Sequence, residues 1–245
     1  MPRPRIYTPE VLSPGMMHRL PESAAVHVAR VLRLAAGDPI TLFDGTGTDY
    51  DAVLRVVARS GVSADVGTGR RVERESPLAV TLLQGVSRGP RMDAVVQKAT
   101  ELGVCALQPV LAGRSVVRLD AERGDARRAH WQRIVISACE QCGRSIVPAV
   151  LPARPLDEAL AAVEPGTARL TLDPRGEGTL GELLGTATRV ALAIGPEGGF
   201  TEDEIRALTT AGFQGLRLGP RILRTETAPL AALAILQFAR GDLGV

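Results

Sequence analysis

The 245-residue chain has few aromatic side chains, three cysteines and no long apolar run. Aromatics make up 3% of it, too few for the stacking platforms on which proteins bind single-stranded nucleic acids. Cys105, Cys139 and Cys142 are an odd number, which favours a reducing compartment over a disulfide framework. The longest nearly unbroken apolar run, 228–239, is shorter than the ~20 residues of a membrane span, and no apolar segment follows the basic start. We therefore expect a cytoplasmic protein without a secretory signal.

The composition is that of a globular protein, and its positive charge is uneven. Hydrophobic residues make up 45% and charged residues 23%, so disorder is excluded, and the length allows one large domain or two smaller ones. Residues 1–72 contain nine arginines and seven acidic residues, whereas the remainder is balanced. Lys98 is the only lysine, and arginine is the residue that pairs bidentately with phosphate. RNA binding or a GC-rich genome would each explain this bias.

Two patterns of predicted secondary structure indicate two domains, 1–72 and 76–245. The first contains a predicted helix from Ser23, as its cap, to Leu34, and strands at Pro39–Phe43, Tyr50–Val57 and Val62–Val66, which indicate a small barrel-like domain. From Ser76 onward strands alternate with helices, which predicts an α/β domain with a parallel sheet covered on both faces. The predicted segments there are Leu78–Gly85, Pro90–Leu102, Val104–Leu111, Ala126–Cys142, Ile146–Val150, Leu156–Val163, Arg169–Leu172, Thr179–Leu184, Val190–Ile194, Glu202–Ala211, Leu216–Leu218 and Thr227–Arg240.

Two of these helices carry clear local signals. In Pro90–Leu102 the apolar residues fall on one stripe, and Gly103 is a natural stop. The stripe consists of Met92, Val95, Val96, Ala99 and Leu102. In the second helix, Thr201 and Glu204 have the spacing of a capping box. A helix is therefore predicted to start directly after a glycine-rich loop.

That loop, Gly195-Pro196-Glu197-Gly198-Gly199, follows a predicted buried strand. The carboxyl ends of neighbouring parallel strands meet at one sheet edge, where ligands bind because backbone amides are free there. Similar loops follow two other strands, at Leu172–Gly176 and Leu218–Ala228. Each loop alone is also compatible with a simple tight turn. Together they predict a ligand pocket.

Four separated runs resemble one family, the ribosomal RNA small subunit methyltransferase E family. They are Gln97–Val104, Ala138–Arg144, Ile194–Gly199 and Leu218–Ala228, and Pro4–Tyr7, His27–Leu34 and Gly37-Asp38 also resemble the family's amino-terminal domain. The resemblance implies an amino-terminal PUA-like, RNA-binding β-barrel and a SPOUT-superfamily domain with a trefoil knot at its carboxyl end. It further implies a homodimer that uses S-adenosylmethionine to methylate N3 of a uridine in 16S rRNA of the small ribosomal subunit, U1498 in the family's numbering.

The same resemblance assigns residues to the cofactor, for which the glycines are expected to leave room. Replacement of Gly198 by valine should therefore abolish binding. The predicted cofactor residues are Leu172, Asp173, Ile194, Gly195, Pro196, Glu197, Gly198, Gly199, Leu218, Gly219, Arg221, Ile222, Leu223, Thr227 and Ala228.

Arg224 and Glu226 are the candidate catalytic residues, because they lie beside the cofactor loops. Uracil N3–H is a weak acid, so methylation needs a proton acceptor or a group that stabilises the developing anion. Glu226 is alternatively a carboxylate that meets the dipole of the last helix. The predicted RNA-binding residues, for which a solvated surface is the alternative, are Arg5, Arg30, Arg33, Arg91, Lys98 and Arg144.

Three other patterns receive structural interpretations. Cys139 and Cys142 have metal-like spacing but no second pair, so no metal is expected. Asp44–Gly47 is predicted to be a hairpin turn, and His130 a packed or solvated helix residue. Two other functions stay open at this stage: a noncatalytic RNA-binding or ribosome-assembly protein on the same scaffold, and a methyltransferase that acts on tRNA.

Overall fold

The computed structural model describes residues 3–115, 121–173, 176 and 179–244. Its packing divides the chain into two compact units. Unit 1 contains Met1–Glu75 and Ile136–Val147, and unit 2 contains Ser76–Val135 and Pro148–Val245. The sequence assigned Ile136–Val147 to the second domain, whereas in the structure this segment packs with the first unit.

Unit 1 is built on a five-stranded mixed sheet. Its strands are β1 (Arg5–Tyr7), β2 (Met17–Arg19), β3 (Pro39–Phe43), β4 (Thr48–Ala58) and β5 (Gly61–Arg71), in the order β1-β3-β4-β5-β2. Only the β1–β3 pair is parallel. Ile6, Ile40, Leu42 and Leu54 are buried together in its apolar core. The predicted turn at Asp44–Gly47 is confirmed, because it joins the antiparallel strands β3 and β4.

The predicted helix of unit 1 differs from the expectation. The chain forms a short helix α1 (Glu22–Val26) followed by a π-helical turn, His27–Val31. Pro21, not Ser23, is the residue that precedes the first helical turn, and no side chain caps it, so the predicted cap is wrong. Arg33 has a positive φ of 55° and lies past the helix end, so it does not share a helix with Arg30.

Unit 2 contains a seven-stranded sheet in which every pairing of the described strands is parallel. The strands are β6 (Ala79–Gly85), β7 (Val104–Leu111), β8 (Ala149–Val150), β9 (Arg154–Pro155), β10 (Ala168–Leu172), β11 (Arg189–Ile194) and β12 (Gln214–Leu216). Their order is β12-β10-β11-β6-β7-β8, and β9 also pairs with β7. Five consecutive residues of β11, from Val190 to Ile194, are buried, as expected for a strand covered on both faces. The predicted parallel α/β fold is confirmed.

The helices of unit 2 follow the local sequence signals closely. They are α2 (Gly89–Glu101), α3 (Ala121–Cys142, shared with unit 1), α4 (Leu156–Ala161), α5 (Leu180–Leu184), α6 (Glu202–Thr210) and α7 (Ala228–Arg240). Four of the five predicted stripe residues lie on α2 and are buried, and the fifth, Leu102, directly follows the helix and is partly exposed. Thr201 and Glu204 form the predicted capping box. Within the described part of the chain, no helix is long and apolar enough to cross a membrane.

Two predicted strands are placed or sized differently. The strand predicted at Leu216–Leu218 lies two residues earlier, as β12, and only Ala149–Val150 of the segment predicted at Ile146–Val150 pairs with the sheet. Ile146 and Val147 instead belong to unit 1, where Gly47 donates its amide to the Ser145 carbonyl. These segments are short and apolar, so periodicity alone does not define their ends.

Candidate cofactor site and catalytic residues

Unit 2 contains a cavity of about 900 Å³ at the carboxyl ends of β10, β11 and β12. Parallel strands expose their carboxyl ends at one edge, so three loops distant in sequence meet there, as predicted. Thr227 does not line the cavity: it is exposed and precedes the first residue of α7, so its prediction as a cofactor residue is not supported. The predicted cofactor residues that do line it are Leu172, Asp173, Ile194, Gly195, Pro196, Glu197, Gly198, Gly199, Leu218, Gly219, Arg221, Ile222, Leu223 and Ala228.

The glycine-rich loop after β11 is shaped by its own packing. Gly199 has a φ of 68° and donates its amide to the Pro196 carbonyl at 2.8 Å, which closes a tight turn. A Cβ on Gly195 would lie 3.0 Å from backbone atoms of Gly199 and Phe200. A Cβ on Gly85, at the end of β6, would lie 2.4 Å from the Pro196 nitrogen. The fold of the loop therefore already requires glycine at positions 195 and 199, in addition to any room that they leave for a ligand.

Gly198 packs against Arg114, which fixes the same loop from the side of β7. The Arg114 guanidinium donates to the carbonyls of Gly198 and Phe200 at 3.2 and 3.3 Å. A Cβ on Gly198 would lie 2.9 Å from the Arg114 Cβ and 3.3 Å from its carbonyl oxygen. Any larger side chain at position 198 must therefore displace the loop.

We expect Gly198→Val to weaken S-adenosylmethionine binding by at least about tenfold, because overpacking against Arg114 shifts the loop that forms the cavity floor. Isothermal titration calorimetry measures the dissociation constant. Gly124→Val is the matched control, since a Cβ on Gly124 has no neighbour within 4 Å. An affinity of Gly198→Val equal to that of the control would remove this loop from the binding site.

Charged side chains gather where the cavity meets the start of α2. Glu197 Oε1 accepts hydrogen bonds from the Arg88 amide and the Arg91 guanidinium, both at 3.1 Å. Burial raises the pKa of Glu197, but hydrogen bonds from Arg88, its own amide and Arg91 lower that pKa by more, so the carboxylate is ionised at neutral pH. Arg91 Nε also lies 3.9 Å from Glu226 Oε2. Arg91, a predicted RNA-binding residue, therefore stands between two carboxylates.

Arg224 and Glu226 both line the cavity, on the segment that leads into α7. Arg224 is exposed and its carbonyl accepts the amides of Thr227 and Ala228, which turns the chain into the helix. The Glu226 side chain is 27% exposed. Thr225 between them also lines the cavity but is 9% exposed, and its hydroxyl is turned to the Gly195 carbonyl.

The comparisons with known proteins agree with this architecture. A family model described as an RNA methyltransferase domain matches residues 74–237, and one described as an RNA methyltransferase PUA domain matches residues 20–66. The chain is 31% identical to ribosomal RNA small subunit methyltransferase E of Buchnera aphidicola subsp. Schizaphis graminum, over 98% of both chains. The chain belongs to the ribosomal RNA small subunit methyltransferase E family. It is therefore an RNA methyltransferase with an amino-terminal PUA-like domain.

Solved structures of the family superpose on nearly the whole chain. The methyltransferase E of Neisseria gonorrhoeae, crystallised with S-adenosylmethionine, is 44% identical, with a TM-score of 0.91 over 98% of this chain and 99% of that one. A methyltransferase of Legionella pneumophila, solved with the same cofactor, is 40% identical, with a TM-score of 0.94 over 99% and 100%.

Two residues predicted to bind RNA in this methyltransferase E homologue are internal. Arg5 pairs with Asp49 at 2.5 Å and donates to the Arg144 carbonyl and to Ser145 Oγ at 3.1 and 3.0 Å. The Arg144 side chain is 5% exposed and is bound to Glu75. Both guanidinium groups are largely buried and bind partners within unit 1, which contradicts the prediction that they contact RNA.

The remaining predicted RNA-binding residues are accessible. Arg30 and Arg33 are exposed on unit 1. Lys98, on α2, is half-exposed and pairs with Glu101 at 2.8 Å. An exposed pair of this kind is worth about 0–1 kcal/mol, so it does not prevent Lys98 from exchanging its partner for a phosphate.

Cys139 and His130 lie in surroundings that suit a structural role. Cys139 is fully buried, and burial raises the pKa of its thiol to about 12, so it is protonated at neutral pH. His130 Nε2 lies 3.1 Å from both carboxylate oxygens of Asp93 on α2. Among the residues whose placement is described, no three His, Cys, Asp or Glu side chains could together hold a metal ion.

Proposed function

We propose that the protein transfers a methyl group from S-adenosylmethionine to N3 of a uridine in 16S rRNA of the small ribosomal subunit, U1498 in the family's numbering. The observation that carries the proposal is that Arg224 and Glu226 line the same cavity as the glycine-rich loop. A base, a cation and a cofactor-sized cavity are the parts that this transfer requires.

The cavity fits the cofactor in both size and chemistry. Its volume of about 900 Å³ is within the range of pockets that hold small molecules. Leu172, Ile194 and Leu218 supply apolar surface for an adenine ring, and the backbone of the glycine-rich loop supplies polar groups. When bound, S-adenosylmethionine supplies an electrophilic methyl group on a sulfonium.

Arg224 and Glu226 have complementary roles in this proposal. Loss of the N3 proton leaves negative charge on the uracil ring, and the Arg224 guanidinium stabilises that charge through hydrogen bonds to a uracil oxygen. Glu226 accepts the N3 proton or orients Arg224 for this contact. Arg91, 3.9 Å from Glu226, restrains the carboxylate on its other side.

The test is a methylation assay that offers small subunits, naked 16S rRNA and tRNA separately, with nucleosides analysed by mass spectrometry. We expect 3-methyluridine at one site of 16S rRNA. Methyl transfer to tRNA alone would favour the tRNA alternative. Cofactor binding without transfer to any of the RNAs would favour a noncatalytic assembly role.

Arg30 and Arg33 are the residues that we propose for RNA contact in the PUA-like domain. Replacing both by alanine should weaken RNA binding and flatten its salt dependence, because each lost phosphate contact changes the log–log slope by about 0.7–0.9. Filter binding from low to high salt measures this slope, while the cofactor affinity should stay unchanged. The matched control replaces Arg189 and Arg206, which are exposed in unit 2 and lie outside the cavity lining. Equal slopes for the two double variants would refute the assignment.

We also propose that the protein is a homodimer, with the SPOUT knot formed by its carboxyl-terminal segment. The side chain of Ile222 is 88% exposed, and Ile235 and Phe238 on α7 are 42% and 70% exposed. Ile235 and Phe238 are three positions apart on α7, so they share one helix face, and an exposed apolar face is typical of a protein interface. Light scattering coupled to size-exclusion chromatography should give twice the chain mass, and a monomeric mass would contradict the dimer.

A further inference from the structure

Thr225 is buried between the two candidate catalytic residues, and its hydroxyl hydrogen-bonds to the glycine-rich loop. Its Oγ1 donates to the Gly195 carbonyl at 2.9 Å. The hydroxyl therefore joins the segment that carries Arg224 and Glu226 to the first residue of the glycine-rich loop. Its contact partner is a backbone group, so this link does not depend on any other side chain.

A second layer of polar side chains surrounds this hydroxyl at the end of β6. Gln84 Nε2 lies 3.4 Å from Thr225 Oγ1, and Ser87 Oγ lies 3.5 Å from it. Gln84 and Ser87 are 1% and 3% exposed, and both also donate to the Gly85 carbonyl. Buried polar groups that hydrogen-bond to one another favour one arrangement, because losing these bonds costs free energy in the interior, although Gln84 Oε1 has no partner among the described residues.

Close contacts with the end of β6 restrict the position of the loop. The end of β6 touches the loop so closely that no Cβ fits on Gly85, next to Pro196. The Gly195 carbonyl is therefore held between β6 on one side and the Thr225 hydroxyl on the other. Because of this hydrogen bond, the position of the loop restricts the position of residue 225.

We propose that Thr225 is a positioning residue, whose hydroxyl couples the cofactor loop to the orientation of Arg224 and Glu226. This inference rests on the proposed function for the roles of those two residues. When the loop is ordered by the cofactor, the Gly195–Thr225 hydrogen bond holds residues 224–226 in the conformation in which both flanking side chains face the cavity.

The experiment compares Thr225→Val, which keeps the shape and loses the hydroxyl, with Thr225→Ser, which keeps the hydroxyl. At saturating cofactor we expect single-turnover methyl transfer by Thr225→Val to fall by about tenfold or more, because the Gly195 carbonyl loses its buried donor. The dissociation constant of S-adenosylmethionine should change by less than about threefold. Thr225→Ser should stay within about threefold of the parent in both. Thr210→Val, at the exposed end of α6, is the matched control.

Hydrogen exchange gives a readout that does not depend on methyl transfer. In the parent and in Thr225→Ser, S-adenosylmethionine should slow amide exchange in residues 219–228, and in Thr225→Val this protection should be lost. Parent-like protection and a parent-like rate in Thr225→Val would overturn the proposal. So would a loss in Thr225→Ser as large as that in Thr225→Val, or a rate loss that appears only as weaker cofactor binding.

The catalytic roles of Arg224 and Glu226 and the positioning role of Thr225 can be disproved independently. If Arg224→Ala and Glu226→Gln transfer methyl groups at the parent rate, the roles proposed for those residues fail. The exchange comparison between Thr225→Val and Thr225→Ser then still decides whether the hydroxyl links the loop to the segment, because it needs only the cofactor.

Discussion

Arg224→Ala should lower the single-turnover rate of methyl transfer by about 10²–10³, the usual loss when one preorganised donor to a developing negative charge is removed. Arg224 lines the cavity and is exposed to it, so its replacement removes charge without opening the core. Rapid quenching of enzyme saturated with both substrates measures this rate. The cofactor affinity should change little, because the contribution belongs to the transition state.

Lysine at position 224 should not restore the full rate, because an ammonium lacks the planar, two-pronged donor geometry of a guanidinium. Arg206→Ala is the matched control, since Arg206 is exposed on α6 and lies outside the cavity lining. A parent-like rate in Arg224→Ala would show that another group stabilises the uracil anion. The same assay on Glu226→Gln, followed over pH, separates a proton acceptor from a carboxylate that meets the dipole of α7.

Asp49→Ala should lower the free energy of unfolding by about 3–5 kcal/mol, the usual cost of leaving one partner of a buried ion pair uncompensated. The Arg5 and Asp49 side chains are 13% and 7% exposed, and Asp49 also accepts the Ser145 hydroxyl at 2.5 Å. Alanine therefore removes the carboxylate that neutralises the guanidinium and accepts the hydroxyl, and leaves Arg5 only the uncharged acceptors Arg144 O and Ser145 Oγ. Urea unfolding followed by circular dichroism measures the change.

Asp51→Ala is the matched control for this prediction. Asp51 lies two residues away on β4 and pairs with Arg3, but both side chains are more than half exposed. An exposed pair contributes about 0–1 kcal/mol, so the two variants should differ by at least about 2 kcal/mol. Equal stabilities would mean that water reaches the Arg5–Asp49 pair. Because Arg5 is internal, its replacement should also affect stability more than RNA affinity.

Local patterns predicted much of the fold because their causes are local. The stripe on α2 and the capping box of α6 depend on residues within one or two turns, and both are present. The meeting of three loops at one edge followed from a general property of parallel sheets. The cavity lining agrees with the predicted cofactor residues except for Thr227, which precedes α7.

Features that depend on distant partners were not visible in the sequence. Arg5 and Arg144 look like any surface arginine until the structure brings them to Asp49 and Glu75. Gly198 was expected to leave room for the cofactor, and its close contact with Arg114, 84 positions earlier, could not be read from the sequence. The sequence did not indicate a role for Thr225, because its hydrogen bond to the Gly195 carbonyl is visible only in the structure.

Because Ile136–Val147 belongs to unit 1, the nascent chain cannot complete this unit until that segment has been synthesised. The Arg5 guanidinium and the Tyr7 amide bind Ser145 and the Glu140 carboxylate, respectively, and these partners leave the ribosome long after β5. Domains otherwise fold as units during synthesis, the amino-terminal one first. Here the amino-terminal unit can form the Arg5–Asp49 pair early, but the contacts of Arg5 with Arg144 and Ser145 must wait until residue 145 has been synthesised. A fragment that ends at Glu75 would lack these contacts permanently.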